Sequence, residues 1–412
     1  MDSKAHKMIA LIGMGVALAS VAACGSSANG SSGTGAAGSS PPASSGGTLS
    51  ILAIEALSGP LSTVGQEQVY GLKAAVAAVN AAGGVNGKPI TLTIKDDAGS
   101  ATQAVSVLEQ ALSSGSKPDV VNAGSTSTET VAMAPVLTKD KVFTVTNSAT
   151  TALADSSTYP YLFGTVETAA ESSDALADKL IAEGFKKVAV ISSDDDLGQS
   201  GSSSMASALQ AHGVSVSVQL VPDTAVDATS QLESLEASHP AALVIDNFGP
   251  TAAAVLKARS ELGWNVPAYA TQDFTANNLS QIATPAELKG ITLESLAYLV
   301  IGNPTQETAA FKTFYKDVTA LNSGTFLYSI NIPINTWDNV ILAAAAANKA
   351  HSTNAAAMRA AAESLTSADV PLFIGPSPLG YSVSNHYPVF GPGIWAFVPA
   401  GPTVHGQIQP GS

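Results

Sequence analysis

Cysteine is nearly absent from this sequence, and charged and aromatic residues are scarce. Cys24 is the only cysteine among 412 residues, which excludes an intramolecular disulfide and a cysteine-based metal cluster. Charged residues make up 12% and aromatic residues 6% of the chain, whereas 45% is hydrophobic. The balance of charge is acidic, with 18 Lys and Arg against 32 Asp and Glu and a formal net charge of −14. An acidic chain of this kind is a poor candidate for nucleic-acid binding.

Sequence motifs of common catalytic sites are also missing. Neither a G-x-S-x-G elbow nor a Walker or dinucleotide glycine fingerprint occurs from residue 48 onward. The histidines are scattered and lack a paired metal spacing such as H-E-x-x-H. Asp194 to Asp196 lack the alternating ligands of a calcium loop and are predicted to cap the next helix. The sequence therefore predicts a protein that is not an enzyme and uses no metal or cofactor.

The N-terminus has the pattern of a bacterial lipoprotein signal. Lys4 and Lys7 precede an apolar run, residues 8–19, which is too short to span a bilayer. Small residues directly before Cys24 resemble a lipobox. An ordinary signal peptide that ends near a cysteine is the alternative, but the absence of cysteine elsewhere favours lipid attachment. We predict a signal peptide over residues 1–23 and lipidation of Cys24.

Residues 24–47 predict a flexible tether. After Cys24 the segment consists of small and polar residues without charge, and such a composition cannot bury enough surface to fold. The rest of the chain is long enough for two domains, and none of its apolar runs reaches membrane-spanning length. The predicted location is therefore extracytoplasmic, with the body anchored by lipid to the outer face of the bacterial cytoplasmic membrane.

A βαβ unit is predicted directly after the tether. Residues 48–53 alternate as in a strand, and apolar residues then recur at helical spacing until Gly83-Gly84 ends the helix. Asn86-Gly87 turns the chain into a second strand over residues 90–94. A strand, a helix and a parallel strand in so few residues indicate an α/β fold.

The same alternation continues in two successive series, which predicts two similar lobes. Further strands are predicted at 119–122, 142–146, 188–192, 214–220, 242–245 and 266–269. The last part of the chain differs. It predicts helices at 307–321, 331–350 and 354–365, followed by short strand-like pieces at 379–383 and 393–398.

Three pieces of the first unit carry a resemblance to a known family. SGPLSTVGQE, NAAGGVNGKPI and KDDAG occur in order and at compatible spacing, and with them the chain resembles the leucine/isoleucine/valine-binding family of solute-binding proteins. The similarity thins after about Ser295. The resemblance implies a type I periplasmic-binding fold, with two Rossmann-like lobes, mainly parallel sheets and a three-segment hinge. Carried over, residues 48–165 and 298–372 would form lobe 1, and residues 166–297 and 373–412 lobe 2.

The resemblance also implies a function. Members of the family are extracytoplasmic subunits of ABC importers, which close on a ligand between the lobes by a hinge motion. The implied ligand is a branched-chain or other amino acid, an amide or a related carboxylate, and the other implied partners are ABC permease subunits. The protein would be a monomer. A ligand-binding sensor on the same fold, signalling to a membrane partner, is the alternative, and a secreted hydrolase is a third hypothesis.

Two hydroxyl-rich loops are the first candidate ligand contacts. In open α/β sheets, ligands lie beyond the carboxyl ends of strands, where the free NH groups of helix N-termini favour a carboxylate. The loops after two predicted strands match those that hold the α-carboxylate in the resembled family. That match carries the role to Thr126, Ser127, Ser148, Ala149 and Thr150, and above all to the two threonines. Ordinary helix caps and surface turns are the alternative, because they are also rich in Ser and Thr.

The second lobe supplies the remaining candidates. A ligand ammonium needs an acidic or carbonyl partner, because an unpaired buried charge costs on the order of several kcal/mol. The family's carboxylate falls on either Asp273 or Gln272, and Phe248 matches an aromatic of the cleft wall, unless it is a plain core residue. Val64 and Leu197 stand where many amino-acid binders carry aromatics. These two residues predict a bulkier or more apolar ligand, or a pocket without a stacking wall.

Overall fold

The structure, a computed structural model, describes residues 47–222, 224–391 and 393–411. Cys24 and the predicted signal peptide lie outside these ranges, as does the predicted tether except for Gly47. Lipidation of Cys24 therefore stays a prediction. Within the described residues, no helix is both long enough and apolar enough to cross a membrane.

Five parallel strands form the first sheet, in the order β2-β1-β3-β4-β5. The strands are β1 (Ser50–Glu55), β2 (Thr91–Asp96), β3 (Val120–Ala123), β4 (Phe143–Thr146) and β5 (Leu162–Gly164). They are connected by α1 (Ser62–Ala81), α2 (Ala101–Ser113) and α3 (Ser127–Lys139), and by a 3₁₀ turn at Thr151–Leu153. The βαβ unit predicted from the sequence is thus present.

The second sheet has six strands in the order β11-β10-β9-β8-β6-β7, and only β11 is antiparallel. Its strands are β6 (Lys187–Ser193), β7 (Ser215–Val221), β8 (Ala242–Asp246), β9 (Ala268–Ala270), β10 (Ile291–Leu296) and β11 (Trp395–Pro399). Its helices are α4 (Ala169–Ala182), α5 (Asp196–Ala211), α6 (Thr229–Glu236), α7 (Pro250–Leu262), α8 (Gln272–Thr275), α9 (Leu279–Ile282) and α10 (Pro285–Leu288). A small hairpin, β12 (Thr403–Val404) and β13 (Gln407–Ile408), follows the sheet.

Three helices between β10 and β11 belong to the other half of the molecule. They are α11 (Ala309–Asn322), α12 (Asn331–Ala350) and α13 (Ala355–Ala362), with 3₁₀ turns at Ala297–Leu299, Pro304–Glu307 and Ser367–Asp369. Because α12 packs on α1, β3 and β4, this segment covers the first sheet. We call the first sheet with α1 to α3 and α11 to α13 the first lobe. The second sheet with α4 to α10 is the second lobe. The chain therefore passes between the lobes three times.

The α/β fold with two lobes is confirmed, one local prediction is wrong, and one strand was not predicted. The segment 379–383 forms no strand: its backbone pairing is an isolated bridge between Ser382 and Asn385, and Gly380 adopts a φ of 81° that interrupts extended backbone. The strand β10 was not expected. Its residues are almost all buried, although Ile291 to Glu294 alternate between apolar and polar as in a half-exposed strand.

Gly71 allows α1 and α12 to approach closely. A Cβ atom there would lie 2.1 Å from the Pro333 carbonyl oxygen and 2.4 Å from Thr336 Oγ1. Despite the higher helix propensity of alanine, we expect Gly71→Ala to lower the free energy of unfolding by about 1–3 kcal/mol in urea denaturation, because backbone cannot move aside. Gly115→Ala is the matched control, since a Cβ there meets nothing within 4 Å. Equal stability of both variants would contradict this close packing.

Candidate ligand-binding site

A cavity of about 660 Å³, counting the space open to solvent at its mouth, lies between the two lobes. Its walls follow the carboxyl ends of strands in both sheets, where ligands bind in open α/β folds. The first lobe contributes Val64, Gln68, Ser125, Thr126, Ser127, Asn147, Ala149, Asn331, Ile332 and Asn335, and the second contributes Asp195, Leu197, Phe248, Gln272, Asp273 and Ala276. Val166 and Glu167 come from the segment that joins β5 to α4.

The N-terminus of α3 forms one wall of the cavity. Thr126 is the N-cap, and both its amide and its hydroxyl donate to the Glu129 carboxylate, the amide at 2.7 Å. Ser127 Oγ accepts a hydrogen bond from Ser148 Oγ at 2.9 Å, which leaves the Ser127 hydroxyl proton free for a ligand. The amides of Ser127 and Thr128 lie in the first turn of a helix, where no intrahelical acceptor exists. This wall therefore suits an anionic group.

The loop after β4 contributes Asn147 and Ala149, whereas Ser148 and Thr150 do not line the cavity. Ser148 is buried behind Ser127. Thr150 Oγ1 points toward the second lobe and donates to the Asp196 carbonyl oxygen at 3.4 Å. A second hydrogen bond joins the lobes beside it, from Thr151 N to Ser200 Oγ at 3.0 Å. The two lobes are thus in contact at the edge of the cleft in this structure.

The opposite wall combines acidic and apolar side chains. Asp195 caps α5, as predicted, and its Oδ1 accepts from Gly198 N at 2.7 Å. Gln272 and Asp273 begin α8 directly after β9, and both line the cavity, so the structure does not choose between them. Phe248 packs against Tyr328, with ring centroids 5.5 Å apart.

An apolar cluster closes one end of the cavity. Val64, Ala276 and Ile332 are buried together, with Phe248 and Tyr328 packed against them. Val64 is 1% exposed, so it fills space between the lobes and presents no polar atom to a ligand. The cavity is therefore amphipathic, with helix amides on one side, carboxylates opposite and an apolar end.

Among the described residues that line the cavity, carboxyl groups are the only ionisable ones: Glu167, Asp195 and Asp273, without a lysine, arginine or histidine. Burial raises the pKa of Glu167 to about 8 and raises the pKa of Asp195. Burial, followed by repulsion from Asp246, Glu167 and Asp195, raises the pKa of Asp273 well above its usual value. None of the acidic clusters in the described residues is arranged to hold a metal ion.

Several buried polar atoms at the cavity have no hydrogen-bond partner within the described residues. They are Gln68 Oε1, Asn147 Oδ1 and Gln272 Nε2. Buried polar groups are nearly always satisfied in folded proteins, so these atoms are positioned for a ligand or water. Two are acceptors and one is a donor, which suits a small polar molecule.

Eight of the ten predicted ligand-contact residues lie on the cavity wall, and only Ser148 and Thr150 do not. The other lining residues were not predicted as ligand contacts: Gln68, Ser125, Asn147, Val166, Glu167, Asp195, Ala276, Asn331, Ile332 and Asn335. Ser125 and Asn147 lie within the two hydroxyl-rich loops predicted from the sequence. The residues of α12 had no such signal, because they enter the site from a helix that follows in sequence after the second sheet.

Two α/β lobes, three connections and a cavity lined from both lobes define a two-lobed ligand-binding protein. The family model described as periplasmic binding protein matches residues 48–386, and the chain belongs to this family. The similar curated proteins are of the Leu/Ile/Val-binding type, as the sequence resemblance predicted.

Curated relatives match part of the chain. The Leu/Ile/Val-binding protein homolog 3 of Brucella melitensis is 32% identical over 144 residues, which cover 35% of this chain and 39% of that protein. The leucine-, isoleucine-, valine-, threonine- and alanine-binding protein of Pseudomonas aeruginosa is 29% identical over 173 residues, which cover 42% of this chain and 46% of that protein. The matched segments thus span less than half of either relative.

Solved structures confirm the fold over most of the chain. An extracellular ligand-binding receptor from Rhodopseudomonas palustris HaA2 aligns with a TM-score of 0.75 and 20% identity, covering 89% of this chain and all of that one. A solute-binding protein of an ABC transporter from R. palustris, solved with benzoate, aligns with a TM-score of 0.70 and 20% identity, covering 88% and 95% of the two chains.

Proposed function

We propose that this protein is the extracytoplasmic solute-binding subunit of an ABC importer. It captures a small organic ligand with a carboxylate, of the class of amino acids, amides and related acids, by closing its two lobes. The observation that carries the proposal is the cavity between the lobes. On one side it offers the free amides of α3 and the hydroxyl of Ser127, and on the other the carboxylates of Glu167 and Asp273.

The names of similar proteins support a ligand that carries a carboxylate. The two curated relatives are named for binding leucine, isoleucine and valine, one of them also for threonine and alanine, and one of the similar structures contains benzoate. These ligands share a carboxylate and differ in the rest of the molecule. The part of this cavity that suits a carboxylate, the start of α3, is built from backbone amides and so does not depend on the ligand's other end.

Hinge closure is the proposed mechanism of capture. Hydrogen bonds from Thr150 to Asp196 and from Thr151 to Ser200 join the two lobes beside the cavity. In this closed arrangement, residues of both walls can contact the same ligand. Lipid attachment at Cys24 would keep the protein next to its permease. Both the anchor and the permease belong to the proposal.

Ser127→Ala tests the carboxylate site. In a thermal-shift screen of amino acids, amides, aromatic carboxylates and short-chain acids, at least one should raise the melting temperature, because a ligand that binds only the folded state stabilises it. Loss of a hydrogen bond to a charged group should weaken binding of that ligand about 10- to 100-fold in calorimetry.

Ser116→Ala is the control for that experiment, because Ser116 is exposed and distant from the cavity wall. Unchanged affinity in Ser127→Ala would contradict the carboxylate position. Import is tested separately by uptake of the radiolabelled ligand in cells that lack the gene. Undiminished uptake there would contradict the transport role.

A further inference from the structure

We infer that Glu167 and Asp273 form a cation subsite, and that the ligand is an amino acid whose side chain carries a second positive charge. The inference rests on the proposed function, because it places an amino acid with its carboxylate at α3. It adds the chemistry of the opposite end of the ligand. The two carboxylates face one cavity from two elements, the β5–α4 connection and the start of α8.

Glu167 is held in the cavity wall with a hydrogen bond from its own backbone amide and no cationic partner in the described residues. Its side chain is 3% exposed, and within the described residues no other side chain donates a hydrogen bond to its carboxylate. The carboxylate of Asp273 likewise accepts no hydrogen bond in the described part of the chain. A buried carboxylate without a cation is costly, so both groups suit a ligand that supplies a positive charge and N–H donors.

The surroundings of Glu167 and Asp273 are acidic as well. Glu294 lies behind Glu167 and Asp273: its Oε2 accepts from Ser172 Oγ at 2.9 Å and from Gln272 N at 3.3 Å, and its Oε1 has no partner in the described residues. The other charged groups that act on the pair are Glu171, Asp195 and Asp246, all acidic. A zwitterionic amino acid adds no net positive charge to this environment, whereas a side-chain ammonium adds one.

Unpartnered amide groups at the cavity point to a ligand independently of the carboxylates. Gln68 is fully buried and Gln272 is 3% exposed, and each lacks a partner for one amide atom. Gln68 Oε1 and Asn147 Oδ1 are acceptors, as an N–H-rich ligand requires. An ammonium has three donors and no acceptor, so it can satisfy one carboxylate and one amide oxygen at once.

The test compares ligands that differ in one group. L-ornithine and L-norleucine have the same side-chain length and differ by ammonium against methyl, and putrescine is ornithine without its carboxylate. Calorimetry with the full-length protein should give ornithine or its longer homologue L-lysine at least tenfold tighter binding than norleucine. Norleucine binding as tightly as both cationic amino acids would overturn the inference.

Variants identify the residues responsible. Glu167→Gln should reduce the preference for the cationic amino acid at least tenfold, whereas Glu167→Asp should keep most of it. Asp273→Asn is the second test if Glu167→Gln does not fold, as judged by circular dichroism. Glu261→Gln, an exposed site away from the cavity, is the control and should leave the preference unchanged. A preference that survives in both Glu167→Gln and Asp273→Asn would overturn the subsite.

The ligand set also separates this inference from the proposed function. If norleucine binds and the cationic amino acids do not, the cation subsite is wrong while the proposed function stands. If putrescine binds and all three amino acids do not, the subsite is supported and the carboxylate part of the proposed function is wrong. Failure of ornithine, lysine and putrescine alike overturns the subsite.

Discussion

Replacement of Trp337 by alanine is expected to lower the free energy of unfolding by about 3–5 kcal/mol. The side chain is fully buried in α12, its indole lies edge-on to Phe314 with ring centroids 5.6 Å apart, and its Nε1 donates to the Leu372 carbonyl oxygen at 2.8 Å. Truncation leaves a cavity and an unpaired carbonyl. Urea denaturation followed by circular dichroism measures the loss.

Trp337→Phe is the control for that experiment. It keeps a ring against Phe314 and removes mainly the hydrogen bond to Leu372, so its loss should be clearly smaller than that of the alanine variant. A Trp337→Ala protein within about 1 kcal/mol of wild type would contradict the packing of α12 described above. The same helix carries Asn331, Ile332 and Asn335 to the cavity, so the alanine variant should also bind ligand less tightly.

The helix α12 shows how far the sequence predicts this fold. Its bounds, residues 331–350, were predicted from the apolar pattern and agree with the structure. Its place against the first sheet was implied only by the family resemblance. Hydrophobic periodicity predicts that a helix forms, but not the element on which the helix packs. The strand β10 was not predicted, although residues 291–294 alternate between apolar and polar. Its polar residues Glu294 and Ser295 are fully buried, which the sequence does not show.

The candidate site could be predicted at the level of loops and not of individual side chains. The loops after β3 and β4 do reach the cavity. However, Thr126 donates to Glu129 and Thr150 donates to Asp196, so the hydroxyls expected to matter most already have partners within the protein. Hydroxyl-rich sequence does not reveal such pairings. Glu167 had no sequence signal, because a lone acidic residue before a helix is an ordinary feature of soluble proteins.

Acidification from pH 8 to pH 5 is expected to stabilise the ligand-free protein. Burial raises the pKa of Glu167 to about 8, of Glu67 to about 7, and of Asp97 and Asp246 to about 6. Each of these groups holds its proton more tightly in the folded than in the unfolded chain. The free energy of unfolding therefore rises as the pH falls through the folded pKa values toward the unfolded values near 4.

A buried histidine opposes this trend between pH 8 and pH 5. Burial lowers the pKa of His386, so the folded protein resists protonation of that ring and loses some stability as the pH falls below about 6.5. His386 is a single group against several carboxyls, and its Nε2 contact with Glu363 at 3.3 Å limits its shift. The carboxyl contribution should dominate.

The magnitude can be tested at Glu167. This residue alone should account for on the order of 3 kcal/mol of the change between pH 8 and pH 5, since each pKa unit corresponds to about 1.4 kcal/mol. Melting temperatures measured across that range should rise toward pH 5, and Glu167→Gln should flatten the slope, whereas Glu261→Gln should not. A melting temperature that rises toward pH 8 without ligand would contradict the burial of these carboxyls. A cationic ligand should reduce the same slope, because it stabilises the charged carboxylates that the empty cavity keeps protonated.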